Sequence, residues 1–198
     1  MAQAATPVDK AAALRSCHLL IDFTDVGLKI LTELADQRSI GRGLFAFRAG
    51  DPSEALCFVA KGTLQLVPRD GGAALGEVAA GDTVGGMSLL VEGEHVLSAV
   101  AATDVELLQI SRDVFEGMKK THPRTALKLT LALAQDLAER LREAKGQGWL
   151  GEVAAIETTR AAAEQKLGAM RSAAAQHTTT TLGMPGFGPA VGRSSSNG

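Results

Sequence analysis

From Leu14 to Ala35 apolar residues recur every three or four positions, the spacing of one buried helix face. Thr24 precedes Asp25, where its hydroxyl can accept an unpaired backbone N–H, so a helix carrying Leu28, Leu31 and Leu34 is predicted to start there. Two short helices therefore open the fold. Residues 1–13, small and polar with Pro7, hold nothing to anchor them and read as a flexible N-terminus. At Ser39 the texture changes, and glycines from Gly41 to Gly93 punctuate short apolar runs. Runs at 44–47, 56–60, 63–67, 74–78, 96–101 and 105–110 predict strands, with Asp70-Gly71-Gly72 supplying the positive φ of a tight turn. Short strands at such close spacing imply a small antiparallel barrel or roll.

Beyond Ile110 the helical period returns. Ser111 can cap a helix carrying Val114, Phe115 and Met118, and Pro123 is placed to start the next, where its missing N–H costs nothing. That helix has Leu127, Leu131, Leu137 and Leu141 on one side, with Leu129 and Leu133 beside them, an apolar stripe broad enough to touch two surfaces. Arg140, Arg142 and Lys145 suit its C-terminal end. Gly146-Gln147-Gly148 weakens the helix by roughly 1 kcal/mol per glycine relative to alanine, so a break is predicted. Trp149, Val153, Ile156, Arg160, Ala163, Leu167 and Met170 then alternate at spacings of four and three, the seam of a short coiled coil interrupted at Arg160. Residues 171–198, rich in Ser, Thr, Gly, Pro and Ala and without an acidic residue, read as a disordered tail.

Composition narrows the function classes. A chain of 198 residues has room for one ordinary domain plus appendages. Lys+Arg at 20 against Asp+Glu at 22, with 4% aromatic residues and no tyrosine, disfavours a nucleic-acid partner. Cys17 and Cys57 form no C-x-x-C unit, which points away from a disulfide framework and toward a reducing, cytoplasmic setting. His18, His95, His122 and His177 show no metal-ligand spacing, and although Cys17 adjoins His18, nothing places a catalytic base or an oxyanion hole near that thiol. No enzyme activity, metal or cofactor is expected. No segment approaches the ~18 consecutive apolar residues of a membrane span, so no membrane insertion is expected either.

Gly50-Asp51, Leu56-Cys57-Phe58-Val59 and Gly62, then Leu75-Gly76-Glu77-Val78 and Gly81-Asp82-Thr83-Val84-Gly85, form a spread and ordered pattern. It resembles the cyclic-nucleotide-binding domain of catabolite-activator-type regulators, cyclic-nucleotide-dependent kinases and gated channels. The resemblance covers residues 14–145 and implies an α+β fold: an eight-stranded antiparallel β-roll, jelly-roll-like, flanked by helices. A helical extension over 146–170 and the tail over 171–198 follow it.

The resemblance also implies a ligand site, a phosphate-binding cassette in which a short helix meets the cyclic phosphate, a glutamate takes the ribose hydroxyl and an arginine pairs with the phosphate. The matching segments here hold Gly85, Gly86, Met87 and Ser88, then Leu97, Ser98 and Ala99. Gly86 stands in the glutamate's place and Leu97 in the arginine's. Removing one partner of a buried charge pair costs about 2–5 kcal/mol, tens- to thousands-fold in affinity. Glu92 and Glu94 in the intervening loop repel a phosphate, and His95 attracts one only when protonated. Gly85, Gly86 and the Ser88 N–H remain as a candidate anion-binding turn.

The sequence therefore favours a non-catalytic regulatory or adaptor protein with a degenerate ligand cassette, working through protein partners. Trp149, Val153, Ile156, Leu167 and Met170 are its candidate interface; this seam can pack back on the roll, pair with a second copy or bind a partner helix. The resemblance implies a homodimer through the helix at 124–145. The alternative is a cAMP or cGMP sensor using altered cassette chemistry. A catabolite-activator-type transcription regulator is disfavoured because residues 172–198 are too few for the ~50 a further domain needs.

Overall fold

The computed structural model describes residues 8–146 and 150–178. Helices α1 (Lys10–Arg15) and α2 (Asp25–Leu34) lead into strands β1 (Asp36–Ile40), β2 (Phe45–Phe47), β3 (Ala55–Lys61), β4 (Thr63–Val67), β5 (Gly76–Ala79), β6 (Thr83–Val84), β7 (Ser98–Ala101) and β8 (Val105–Ser111). Helices α3 (Arg112–Thr121), α4 (Pro123–Gly146) and α5 (Leu150–Thr178) follow. Two four-stranded antiparallel sheets, ordered β1-β8-β3-β6 and β2-β7-β4-β5, face each other as the expected β-roll.

Alternation along two strands divides the core. Leu56 and Phe58 on β3, with Leu108 and Ile110 on β8, point out to the helices and join Leu14, Leu31, Phe115, Leu129 and Leu133. Their neighbours Cys57, Val59, Val105 and Leu107 point into the roll with Leu64, Val84 and Ala101. The sheet containing β3 and β8 is thus covered on both faces, which explains why β3 reads as an unbroken apolar run rather than an alternating one. Between β3 and β4, Gly62 adopts φ +83°, and a Cβ there would meet the Asp104 carbonyl oxygen at 2.3 Å. Only glycine fits this turn.

The helix starts follow the expected capping chemistry. Thr24 accepts from the Gly27 N–H, Ser111 accepts from the Val114 N–H, and Pro123 opens α4. Three expectations need correction. The N-terminal segment is ordered from Lys10, because Asp9 caps α1 by accepting from the Ala12 N–H and Leu14 is fully buried. Helix α5 runs to Thr178, past the expected tail boundary at 171; Ser172 turns its hydroxyl back on the Gly168 carbonyl, and Ala173 to Ala175 are strong helix formers. On α4 the buried stripe is Leu129, Leu133, Leu137 and Leu141, at strict i, i+4 spacing, while Leu131 is exposed and Leu127 half-buried.

Helix α5 folds back along α4. Thr159 and Ala163 are buried there, and Leu167 and Met170 half-buried. This part of the predicted seam packs within the molecule. Arg160, which interrupts the seam, faces solvent and pairs with Glu164 at 3.3 Å. Trp149 and the side chains of Val153 and Ile156 lie outside the described residues. Among the described residues no helix is long and apolar enough to cross a membrane.

Candidate functional site

Between the open side of the roll and α4 lies a cavity of about 410 Å³. Strand β6 delivers the chain to it, and Gly85 then turns through φ +73°, leading into a single 3₁₀ turn, Gly86–Leu89. A Cβ on Gly85 would strike the Ala55 carbonyl oxygen at 2.4 Å, so the left-handed turn against β3 requires glycine. Gly85, Gly86, Met87 and Leu97 all line the cavity.

The other expected site residues point elsewhere. Ser88 is buried, its hydroxyl hydrogen-bonded to that of Ser53, and its N–H donates to the Gly85 carbonyl at 2.9 Å. The Ser88 amide is therefore paired inside the turn. Ser98 accepts from the Ala49 N–H at 2.9 Å, and Ala99 is fully buried in the roll interior. Both stabilise β7 rather than face the cavity. The Gly-Asp pairs act as turn residues: Asp51 and Asp82 accept from the backbone N–H groups of Arg48 and Ala79, each three residues upstream.

Helix α4 closes the cavity. Leu133 meets Gly86, and Leu137 and Leu141 pack with Met87. One face of the same helix brings Asp136 and Arg140 into the cavity wall, paired to each other at 3.0 Å. In the sequence Arg140 reads only as a charge suited to a helix end; its position one turn beyond Asp136, beside the Leu133–Leu137 stripe, is the signal that points to the cavity.

The charge around the cavity is unfavourable to an anion. Glu77, Asp82, Glu94 and Asp136 line it, against Arg140 and the two histidines His18 and His95. Each carboxylate already has a partner: Gln65 donates to Glu77, Asp82 meets His18 at 3.2 Å, and Glu94 meets Arg69 at 3.3 Å. His95 stacks on Phe47 with ring centroids 3.7 Å apart and planes 11° from parallel. Burial lowers its pKa, against the opposing pull of Asp51, and so favours the neutral ring. Leu66, Val78, Val84 and Leu97 add apolar walls to the same cavity. Among the described residues no group of His, Cys, Asp and Glu is placed to hold a metal ion.

Residues 37–122 match the family model for the cyclic nucleotide-binding domain. The N-terminal domain of a transcriptional regulator from Streptomyces coelicolor A3(2) superposes with a TM-score of 0.59 at 26% identity, covering 65% of this chain and 94% of that one. A cyclic nucleotide-binding domain from Methylobacillus flagellatus shares the fold with a TM-score of 0.61 at 22% identity, over 70% of this chain and 79% of that one. Among curated proteins, lysophospholipase nte1 of Aspergillus fumigatus is 30% identical over 113 residues, 54% of this chain but 7% of that protein. Curated relatives of this kind are far longer, the match spanning 6% to 23% of their length.

Proposed function

Because residues 37–122 form a domain of the cyclic nucleotide-binding family, we propose that the protein is a non-catalytic regulatory module that acts through protein contacts, with cyclic-nucleotide affinity weak or absent. The observation that carries this reading is the cavity wall itself: Gly86 and Leu97 stand at the positions the family resemblance gives to a sugar-binding glutamate and a phosphate-binding arginine. Neither can hold a charged ligand. The four carboxylates that line the cavity oppose a phosphate, and the Ser88 amide is committed to the Gly85 carbonyl. The nte1 lysophospholipase matches only over a small share of its length, so its activity is not carried over to this chain.

A second reading rests on Arg140. It is a cation in the cavity wall supplied by α4 instead of β7, and an anionic ligand that drew it from Asp136 would couple binding to the helix. That is the sensor alternative with altered chemistry.

Thermal unfolding of the full chain with and without millimolar cAMP or cGMP separates the two. A ligand at 100 times its Kd adds about 2.7 kcal/mol, several degrees in Tm for a domain of this size. No shift is expected; a shift of several degrees, abolished by Arg140→Ala, establishes the sensor reading instead.

A further inference from the structure

The cavity between the roll and α4 has the size of a small-molecule site: about 410 Å³, within the ~300–1,000 Å³ usual for such pockets. The sign of its charge sets the kind of molecule it suits. Glu77, Asp82, Glu94 and Asp136 line it, and the guanidinium groups paired with them are Arg140 on Asp136 and Arg69 on Glu94. Asp82 meets His18, so even with a proton on His18 one carboxylate stays unmatched. That carboxylate is Glu77. It accepts from the Gln65 amide at 3.1 Å, a neutral donor, and among the described residues no cation stands within salt-bridge distance of it.

Glu77 sits on β5, an edge strand of its sheet, beside Val78, whose side chain is buried in the roll. A free charge and an apolar wall are thus one residue apart on the same strand. Leu66, Val84 and Leu97 extend that wall, and Phe47, stacked on His95, adds ring surface. Val96 also lines the cavity and is 67% exposed, an apolar side chain that the chain itself leaves largely uncovered. An apolar body laid against these residues gains affinity in proportion to the area it buries, while the unmatched carboxylate selects the sign of its polar end.

We infer that the cavity is a binding site for a small organic cation, a protonated amine or amidinium on an apolar or aromatic body, with the positive group on Glu77 and the body against Val78, Val84 and Leu97. The inference depends on the reading above, in which Gly86 and Leu97 leave the cavity without groups to hold a cyclic nucleotide. It adds a ligand of the opposite charge to the one the family resemblance implies.

Calorimetric titration of the full chain with benzamidine, its neutral isostere benzamide and the anion benzoate tests it. Benzamidine is expected to bind about tenfold or more tightly than benzamide, and benzoate to give no binding heat. Glu77→Gln, a substitution at an exposed position, is expected to weaken benzamidine about fivefold or more, while Glu33→Gln, at an exposed position on α2, leaves it unchanged. In methyl NMR spectra the resonances of Val78, Val84 and Leu97 are expected to move with benzamidine. Benzamidine binding no tighter than benzamide, full affinity retained in Glu77→Gln, an equal loss in Glu33→Gln, or unmoved methyl resonances would each overturn the inference. A parallel titration with cAMP tells the two failures apart: tight cAMP binding would overturn the reading beneath the inference, whereas silence toward both cAMP and benzamidine would overturn the cation site alone.

Discussion

A Cβ built on Gly86 would stand 3.1 Å from Cδ2 of Leu133, so the helix that closes the cavity rests on the residue whose side chain is missing from the cassette. The two positions are complementary. Where a glutamate would project toward a ligand, α4 has moved a leucine in, and Leu133 is nearly fully buried there.

Restoring the charged pair therefore requires making room. Gly86→Glu with Leu97→Arg forces Leu133 to shift by a few tenths of an ångström, and adding Leu133→Ala removes the obstacle at a stability cost of about 2–5 kcal/mol. The triple variant is expected to bind cAMP at least tenfold more tightly than the unmodified chain by calorimetric titration. An unchanged titration with the fold intact would contradict the assignment of Gly86 and Leu97.

Much of this arrangement was legible in the residues. Thr24, Ser111 and Pro123 mark their helix starts by chemistry that is local, and six of the eight strands announce themselves as apolar runs between glycines. β1 gives no such signal, because Asp36, Gln37, Arg38 and Ser39 carry no apolar alternation, and that strand is held by its pairing with β8 instead. β6, Thr83–Val84, is too short for a period. The contribution of Asp136 and Arg140 to the cavity is a tertiary fact, set by where α4 crosses the roll. Likewise the packing of Ala163, Leu167 and Met170 within the molecule depends on α4 offering a face, which no spacing within α5 discloses.

Arg112 joins the start of α3 to both walls of the cassette loop. Its guanidinium donates to the Ser53 carbonyl at 3.0 Å and the Val91 carbonyl at 2.8 Å, and its own N–H donates to the Glu54 carbonyl. Arg112→Ala leaves two partly buried carbonyls without their donor and is expected to cost about 1–3 kcal/mol. Urea unfolding should show a lower midpoint with an unchanged slope; an unchanged midpoint would mean water replaces the guanidinium freely.

Both thiols are chemically quiet in the folded chain. Burial raises the pKa of Cys17 to about 11, against hydrogen bonds from Leu19 and Leu20, and burial likewise raises that of Cys57 to about 11, against the charge of Arg38. At pH 8 the thiolate fraction is small and access is blocked. Alkylation by iodoacetamide is expected to be at least a hundredfold slower in the native protein than in denaturant for both residues. Rapid native labelling of either would place it in a segment that opens readily.

The Glu116–Lys166 pair gives α5 docking an acid limit. Burial raises the Glu116 pKa, but hydrogen bonds from Lys119 and Lys166, with the charges of both, outweigh it and hold the carboxyl below its ordinary value of 4.5. Lys166 itself is lowered from its ordinary 10.5, first by burial and further by the nearby charges of Lys119 and Arg112, against the favourable bond to Glu116. In the acid range Lys166 stays protonated, so Glu116 sets the behaviour. The folded state binds fewer protons at Glu116 than the unfolded chain does, so its stabilisation is complete above the ordinary carboxylate pKa and lost as pH falls through the lowered one. Solvent reaches this carboxylate, whose side chain is 44% exposed, so the effect is modest. Glu116→Gln should lower Tm at pH 7 and speed α5 exchange there, and the difference from the unmodified protein should shrink steadily below about pH 4.5. A difference that is the same at pH 7 and pH 3 would show that the contact is steric and that the charge on Glu116 does not contribute to α5 docking.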